Sequence, residues 1–185
     1  MAIELNRLVQ KVEHKDISLV AGKEGISNRV NWVHMVESIE ATKFLVGGEV
    51  VIVTGIGLRG EEGLTELVNQ LYEKKIAGII VNIGPYLDKI PDATIKFCDK
   101  VNLPLYVVPW KIHLAEIIRI FCYAITKDDQ RNREVTAAFK NAILFPKQEE
   151  LYVVPLSQKQ FNVNWHYSVG VMRFDFSSGN RVSRL

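Results

Sequence analysis

The sequence predicts an α/β fold: an open, mostly parallel sheet flanked by helices, followed by a long helix and the start of a second α/β domain. Three observations carry this expectation. The runs EVVIVT (49–54), AGIIVN (77–82) and LPLYVV (103–108) are apolar on consecutive residues, as strands buried on both faces are. Stretches with helical spacing separate them, which implies parallel strands joined by crossovers. Finally, no Pro or Gly interrupts the chain between Trp110 and Phe145.

In chain order, Ile3, Leu5, Leu8, Val9 and Val12 fall on one face of an opening amphipathic helix. Residues 16–21 form a short strand, and Gly22 and Gly25 mark a turn. The run VNWVHMV (30–36) is extended, and alternation places Val30, Trp32, His34 and Val36 on one side. Residues 61–75 are helical, with Leu64, Leu67, Val68 and Leu71 on one face, and a further helix covers about 91–102. From His113 a wide apolar stripe begins. Steps of four and three from Leu114 pass through Ile118, Phe121 and Ile125 to Val135, Phe139 and Ala142. That spacing fits either a continuous stalk that pairs with a second copy or two helices broken near Asp128-Asp129. Pro146 ends the element, and LYVVPL (151–156) and HYSVGVMRFDF (166–176) read as extended. The second run resembles the opening strand of another domain, so the natural protein is expected to be longer.

Net charge is +2, from 23 basic and 21 acidic residues, so composition provides no electrostatic footprint for nucleic acid. Hydrophobic residues make up 48%, enough for a packed core. Two cysteines, Cys98 and Cys122, stand apart, and His14, His34, His113 and His166 are scattered singly. Neither set has metal-ligand spacing, and no metal or cofactor is expected. No signal peptide or membrane-length apolar run is seen, and a cytoplasmic location is expected.

The segment Gly55-Ile56-Gly57-Leu58-Arg59-Gly60 spells the dinucleotide-binding pattern between a strand and a helix. Its required acid at the end of the next strand is missing: AGIIVN ends in Asn82, and Asp88 comes too late. The glycines nevertheless fall where ligands of open parallel sheets bind, beyond the carboxyl ends of the strands. Those ends carry Thr54, Gly55, Gly57, Asn82, Gly84 and Trp110, a set suited to a small planar or anionic molecule. Trp110 is either a stacking platform or a plug between strand and helix, and Glu49 is placed to bond backbone N–H groups in its own turn.

The succession NWVHMVE (31–37), FLVGGEVVIVTGIGL (44–58), AGIIVNIGPYLDKIP (77–91) and LPLYVVPW (103–110) resembles the amino-terminal domain of the purine catabolism regulator (PucR-like) family of bacterial transcription regulators. The resemblance implies a sensory or regulatory domain over 1–125, a helical linker or dimerisation stalk over 126–150, and over 151–185 the truncated beginning of a GGDEF-related middle domain. It also implies a small effector, a purine or related metabolite, and a homodimer that reaches DNA only through a carboxyl-terminal helix-turn-helix outside this sequence. His34 and Glu37 match the family motif and could line the pocket; His34 could equally be a half-buried strand residue. Two alternatives stand beside the sensor: a protein–protein interaction module without a small ligand, and an enzyme using the glycine turn as an anion cradle. The enzyme reading lacks a P-loop or nucleophile elbow, and neither Thr54 nor Cys98 has an evident base.

Overall fold

A computed structural model describes residues 2–58 and 60–162. It divides into two units, Met1–Glu134 and Val135–Leu185.

In the first unit the three apolar runs are strands β5 (Glu49–Val53), β6 (Gly78–Ile83) and β7 (Leu105–Pro109). Every residue of β5 is buried, as its unbroken apolar run requires. The earlier strands are β1 (Ile3–Glu4), β2 (Ser18–Ala21), β3 (Arg29–Val30) and β4 (Trp32–Met35). The five-stranded sheet has the order β2-β7-β6-β5-β4. Strands β4 to β7 are parallel, and β2 closes one edge antiparallel to β7.

Successive residues of the strands feed two cores, one on each face. Val50, Ile52, Ile80, Tyr106 and Val108 pack with α1 (Leu5–Gln10) and with Ile117, Phe121 and Ile125 of α4 (Leu114–Leu144). Val51, Val53, Ile79, Val81 and Leu105 pack with Leu64, Leu67, Val68 and Leu71 of α2 (Gly60–Glu73) and Cys98 of α3 (Asp92–Val101). Helices therefore cover both faces. Each fully buried Leu or Ile contributes about 1.5–3 kcal/mol of transfer free energy, which fixes the period of two along each strand.

Three sequence expectations change. The opening helix starts only at Leu5, because Ile3 and Glu4 pair antiparallel with Val30 and Arg29. The 30–36 run does not alternate in one phase: Val30, Val33 and Val36 are buried while Trp32 and Met35 are exposed. Asn31 breaks it, donating its N–H to Gly48 O (2.9 Å) and its side-chain amide to Gly47 O (2.7 Å), so the pleat restarts at Trp32. The LYVVPL run is not extended but a 3-10 turn, Glu149–Leu151, followed by α5 (Val153–Gln158). Pro155 sits in the first turn of α5, where its missing N–H has no intrahelical partner to lose. The 166–176 run lies outside the described residues.

The long helix is continuous over 31 residues. Its polar middle is stitched by i,i+4 pairs: Arg133 with Asp129 (2.6 Å), Asn132 donating to Asp128 (3.0 Å) and Gln130 donating to Glu134 (3.1 Å). Such pairs contribute about 0.2–0.5 kcal/mol each, enough with a chain free of Gly and Pro to keep the helix intact. The first half of the heptad-like stripe meets its own core instead of a second copy, since Phe121 and Ile125 are buried under the sheet. Amphipathic surface helices and coiled coils share this spacing over two turns, so periodicity alone does not separate them. In the second unit Phe139 meets Phe161 edge to face, with ring centroids 5.0 Å apart, and Ala138 and Leu156 are buried.

Candidate functional site

The carboxyl ends of the parallel strands gather most of the residues singled out in the sequence. Register places Asn82 beside Val108 and Ile83 beside Pro109, with Val53 beside Val81 one rung earlier. Thr54, Asn82 and Val108 therefore share one level of the sheet. His34 does not join them. It pairs with Val51, three residues before Thr54, which leaves it about 10 Å short of the crevice along the strand. It is half-buried on the edge strand.

The glycine turn has an occupant already. The Glu37 carboxylate accepts the N–H of Thr54 through Oε1 (2.9 Å) and that of Gly55 through Oε2 (3.1 Å). Gly55 has φ +86°, a left-handed conformation that favours glycine. A side chain on Gly57 would stand 2.2 Å from the Glu37 carbonyl oxygen, so this glycine exists to let the two loops touch. The N–H groups of Thr54 and Gly55 thus hold a carboxylate of the same chain. An anion would find those two donors already taken, which disfavours a phosphate at this end of the turn. Glu49 does the same for its own turn, as its position in the sequence suggested: Oε1 accepts from Val46 N and Oε2 from Gly47 N, both at 2.8 Å.

Asn82 is likewise engaged. It is buried, and its amide donates to Val108 O (3.3 Å) and Pro109 O (3.1 Å), tying the end of β6 to the end of β7. Thr54 is buried as well, and its Oγ1 accepts a long bond from Ile56 N (3.4 Å). Cys98 is fully buried in its core, and burial, helped by Asp99, pushes its thiol up to about 12. A thiol held protonated to that degree is no nucleophile.

What remains open on this edge is aromatic. Residues 84–87 form a tight turn in which Gly84 and Leu87 exchange both backbone bonds (2.8 and 3.2 Å). The turn folds back over Gly55, where an added Cβ would meet Leu87 Cβ at 3.1 Å and Tyr86 Cβ at 3.5 Å. Trp110 packs on the Gly84 backbone, and its ring lies 5.6 Å from that of Tyr86 at 62°. Trp110 is nonetheless 43% exposed and Tyr86 52% exposed. The indole is both a plug against Gly84 and a free face. Tyr86 was missed in the sequence reading, although a Gly-Pro-Tyr turn at a strand's carboxyl end was a visible signal. Beside the glycine turn lies a cleft of about 400 Å³ whose lining includes Gly57, Leu58, Glu40 and Glu66. Its ionisable groups are carboxylates, which again disfavours an anion. Lys111, next to Trp110, pairs with Asp16 at 2.9 Å.

Fold and edge together define a three-layer α/β domain in which the loop after the last parallel strand leads directly into a long helix. Residues 7–125 match the model of the purine catabolism regulatory protein-like family, and the chain belongs to that family. Its role is accordingly regulatory. Over 125 residues the chain is 28% identical to the purine catabolism regulatory protein of Bacillus subtilis (strain 168), a match that covers 67% of this chain and 23% of that relative. The chain thus spans about a quarter of the relative's length. Among solved structures it is similar to the CBS and DRTGG domains of the regulatory region of Clostridium perfringens pyrophosphatase, complexed with the activator diadenosine tetraphosphate. That likeness has a TM-score of 0.45 and 16% identity, and covers 63% of this chain and 48% of the other. Among the described residues no helix is long and apolar enough to cross a membrane, and no group of three or more His, Cys, Asp or Glu is placed to hold a metal ion.

Proposed function

We propose that residues 1–125 are the sensory module of a bacterial transcription regulator, and that a small planar effector binds at the carboxyl edge of the sheet. The observation that carries this reading is the exposed Tyr86–Trp110 pair at the root of α4. Trp110 stands four residues before Leu114, the first residue of that helix. A heterocycle stacked on the pair would bear on the Gly84–Leu87 turn, the Glu37-held glycine loop and the start of α4 together. The acidic cleft on the glycine loop, lined by Glu40 and Glu66, favours a neutral or donor-rich molecule, such as a purine base or a ureide, over a phosphorylated one. For occupancy to signal, the effector must bind two settings of α4 with different affinity. In this reading residues 126–150 are the linker or dimerisation stalk and 151–185 open a GGDEF-related middle domain. DNA is contacted only by a helix-turn-helix elsewhere in the full regulator.

The test is a thermal-shift screen of the chain against purine bases and ureides, followed by titration of the hits on the fluorescence of a Trp32→Phe, Trp165→Phe variant, which keeps Trp110 as its one tryptophan. An effector at about 100 times its Kd adds roughly 2.7 kcal/mol, or about 5–10 °C for a chain of this size. Trp110→Ala and Tyr86→Ala are expected to abolish the shift while leaving the far-ultraviolet circular dichroism unchanged. A flat response from well-folded protein would favour the interaction module, in which the edge meets a protein partner and no small ligand.

A further inference from the structure

The charge balance of the sequence conceals a local imbalance that the fold creates. Arg119, Tyr123, Lys127 and Arg131 follow one another at intervals of four along α4, and all are exposed. Opposite them, α1 and its flank bring Ile3 and Lys11. Together these residues line a cleft of about 340 Å³, within the range of small-ligand sites, whose remaining charge is Asp128. Asp128 is itself taken up by the amide of Asn132 (3.0 Å). Lys127 lies over the Tyr123 ring at 5.8 Å from its centroid. Among the described residues, Lys11, Arg119, Lys127 and Arg131 make no ion pair within 4 Å. Four cations against the single carboxylate of Asp128, with Glu116 near Arg119 outside the cleft, leave a local excess of positive charge that a bound anion would relieve.

We infer that this cleft binds a compact polyphosphate anion, clamped between Lys11 of the α1 region and Arg119, Lys127 and Arg131 of α4. The site is separate from the aromatic edge and does not depend on it. Two features set the size of the ligand. The stripe from Arg119 to Arg131 runs about 18 Å along the helix, and long basic side chains can converge over that span on two or three adjacent phosphates. Acids stand three residues beyond each end, Glu116 before Arg119 and Glu134 after Arg131, so the basic surface is bounded and offers no continuing track for a nucleic-acid strand. Tyr123, in the middle of the stripe, provides a flat face for a heterocycle, so a nucleoside triphosphate and a bare polyphosphate share the chemistry that the cleft selects. A bound anion would strap α1 to α4 and so act on the helix that leaves the sheet.

The experiment uses the whole chain at low ionic strength, titrated by calorimetry with ATP and with inorganic tripolyphosphate. Saturable one-to-one binding is expected, weakening steeply as salt is raised from about 0.02 to 0.2 M because the Debye length shrinks. The pair K127E/R131E is expected to raise Kd at least tenfold, and the milder Arg131→Gln about threefold. K96E/K100E, which makes the same change of net charge on exposed residues of α3, is expected to leave Kd within about twofold. Tyr123→Ala separates the two sources: a loss for ATP alone identifies a nucleotide, and no loss for either probe identifies the phosphate chain. Absence of saturable binding by both probes overturns the inference. So does equal loss in the two charge-reversal pairs, or binding of a ten-base single strand by the same residues when neither small probe binds.

Discussion

Replacing Glu37 with Gln changes one atom and should reveal how the glycine turn is held. In the native chain two carboxylate oxygens accept two backbone N–H groups, from Thr54 and Gly55, both buried. Gln offers one oxygen and one NH2, so one N–H faces a donor. Hydrogen bonds to a charged acceptor contribute about 1.5–3 kcal/mol, and a buried donor left unpaired costs about 1–3 kcal/mol. Glu37 is itself half-buried, so water relieves part of that loss. Glu37→Gln should therefore cost about 2 kcal/mol and Glu37→Ala about 3 kcal/mol. Urea denaturation measures the difference, and amide exchange at Thr54 and Gly55 locates it. A further consequence separates a filled cradle from an ordinary contact: formate or acetate at high concentration should restore part of the stability of Glu37→Ala, but none to the wild type. A loss below about 0.5 kcal/mol for the Gln variant, the scale of a neutral surface change, would refute the view that this carboxylate organises the turn.

Other outcomes follow from the same geometry. Gly57→Ala places a methyl group 2.2 Å from the Glu37 carbonyl oxygen, so the loops must part; a loss of about 2–3 kcal/mol is expected in urea titration, with faster exchange at Thr54 and Gly55. Cys98 provides a pH signature. Its thiol is raised from 9.0 to about 12 in the folded chain, so its contribution is fully present below pH 9 and is lost as pH rises toward 12. Linkage then makes wild type lose stability faster than Cys98→Ala by about 1 kcal/mol per pH unit between pH 9 and 11, read as a converging pair of Tm curves; parallel curves would show that the thiol ionises in place.

Local pattern determined a good deal of this protein. Strands β5, β6 and β7 are legible because a strand covered on both faces must be apolar at every position, and EVVIV, GIIVNI and LYVVP are nearly so. The helix after His113 is legible because nothing in it breaks a helix, and the clamp at Glu49 because the acid and the N–H groups it serves are two and three residues apart. The succession of four segments was enough to place the chain in its family.

Tertiary structure decided what depends on residues far apart in the chain. Glu37 meets Gly55 across 18 positions, Asn82 reaches Pro109 across 27, and Tyr86 finds Trp110 only when β6 and β7 align. A glycine turn that could hold a phosphate and one that already holds a carboxylate read alike in sequence, because the difference lies in which distant side chain arrives. His34 shows the converse: it belongs to the same segment as Glu37 yet stays behind on β4, since a strand carries its residues along the sheet in register. The basic cleft is the clearest case, with Lys11 more than a hundred positions from Arg119. Net charge is a sum over the chain, and only folding distributes it in space.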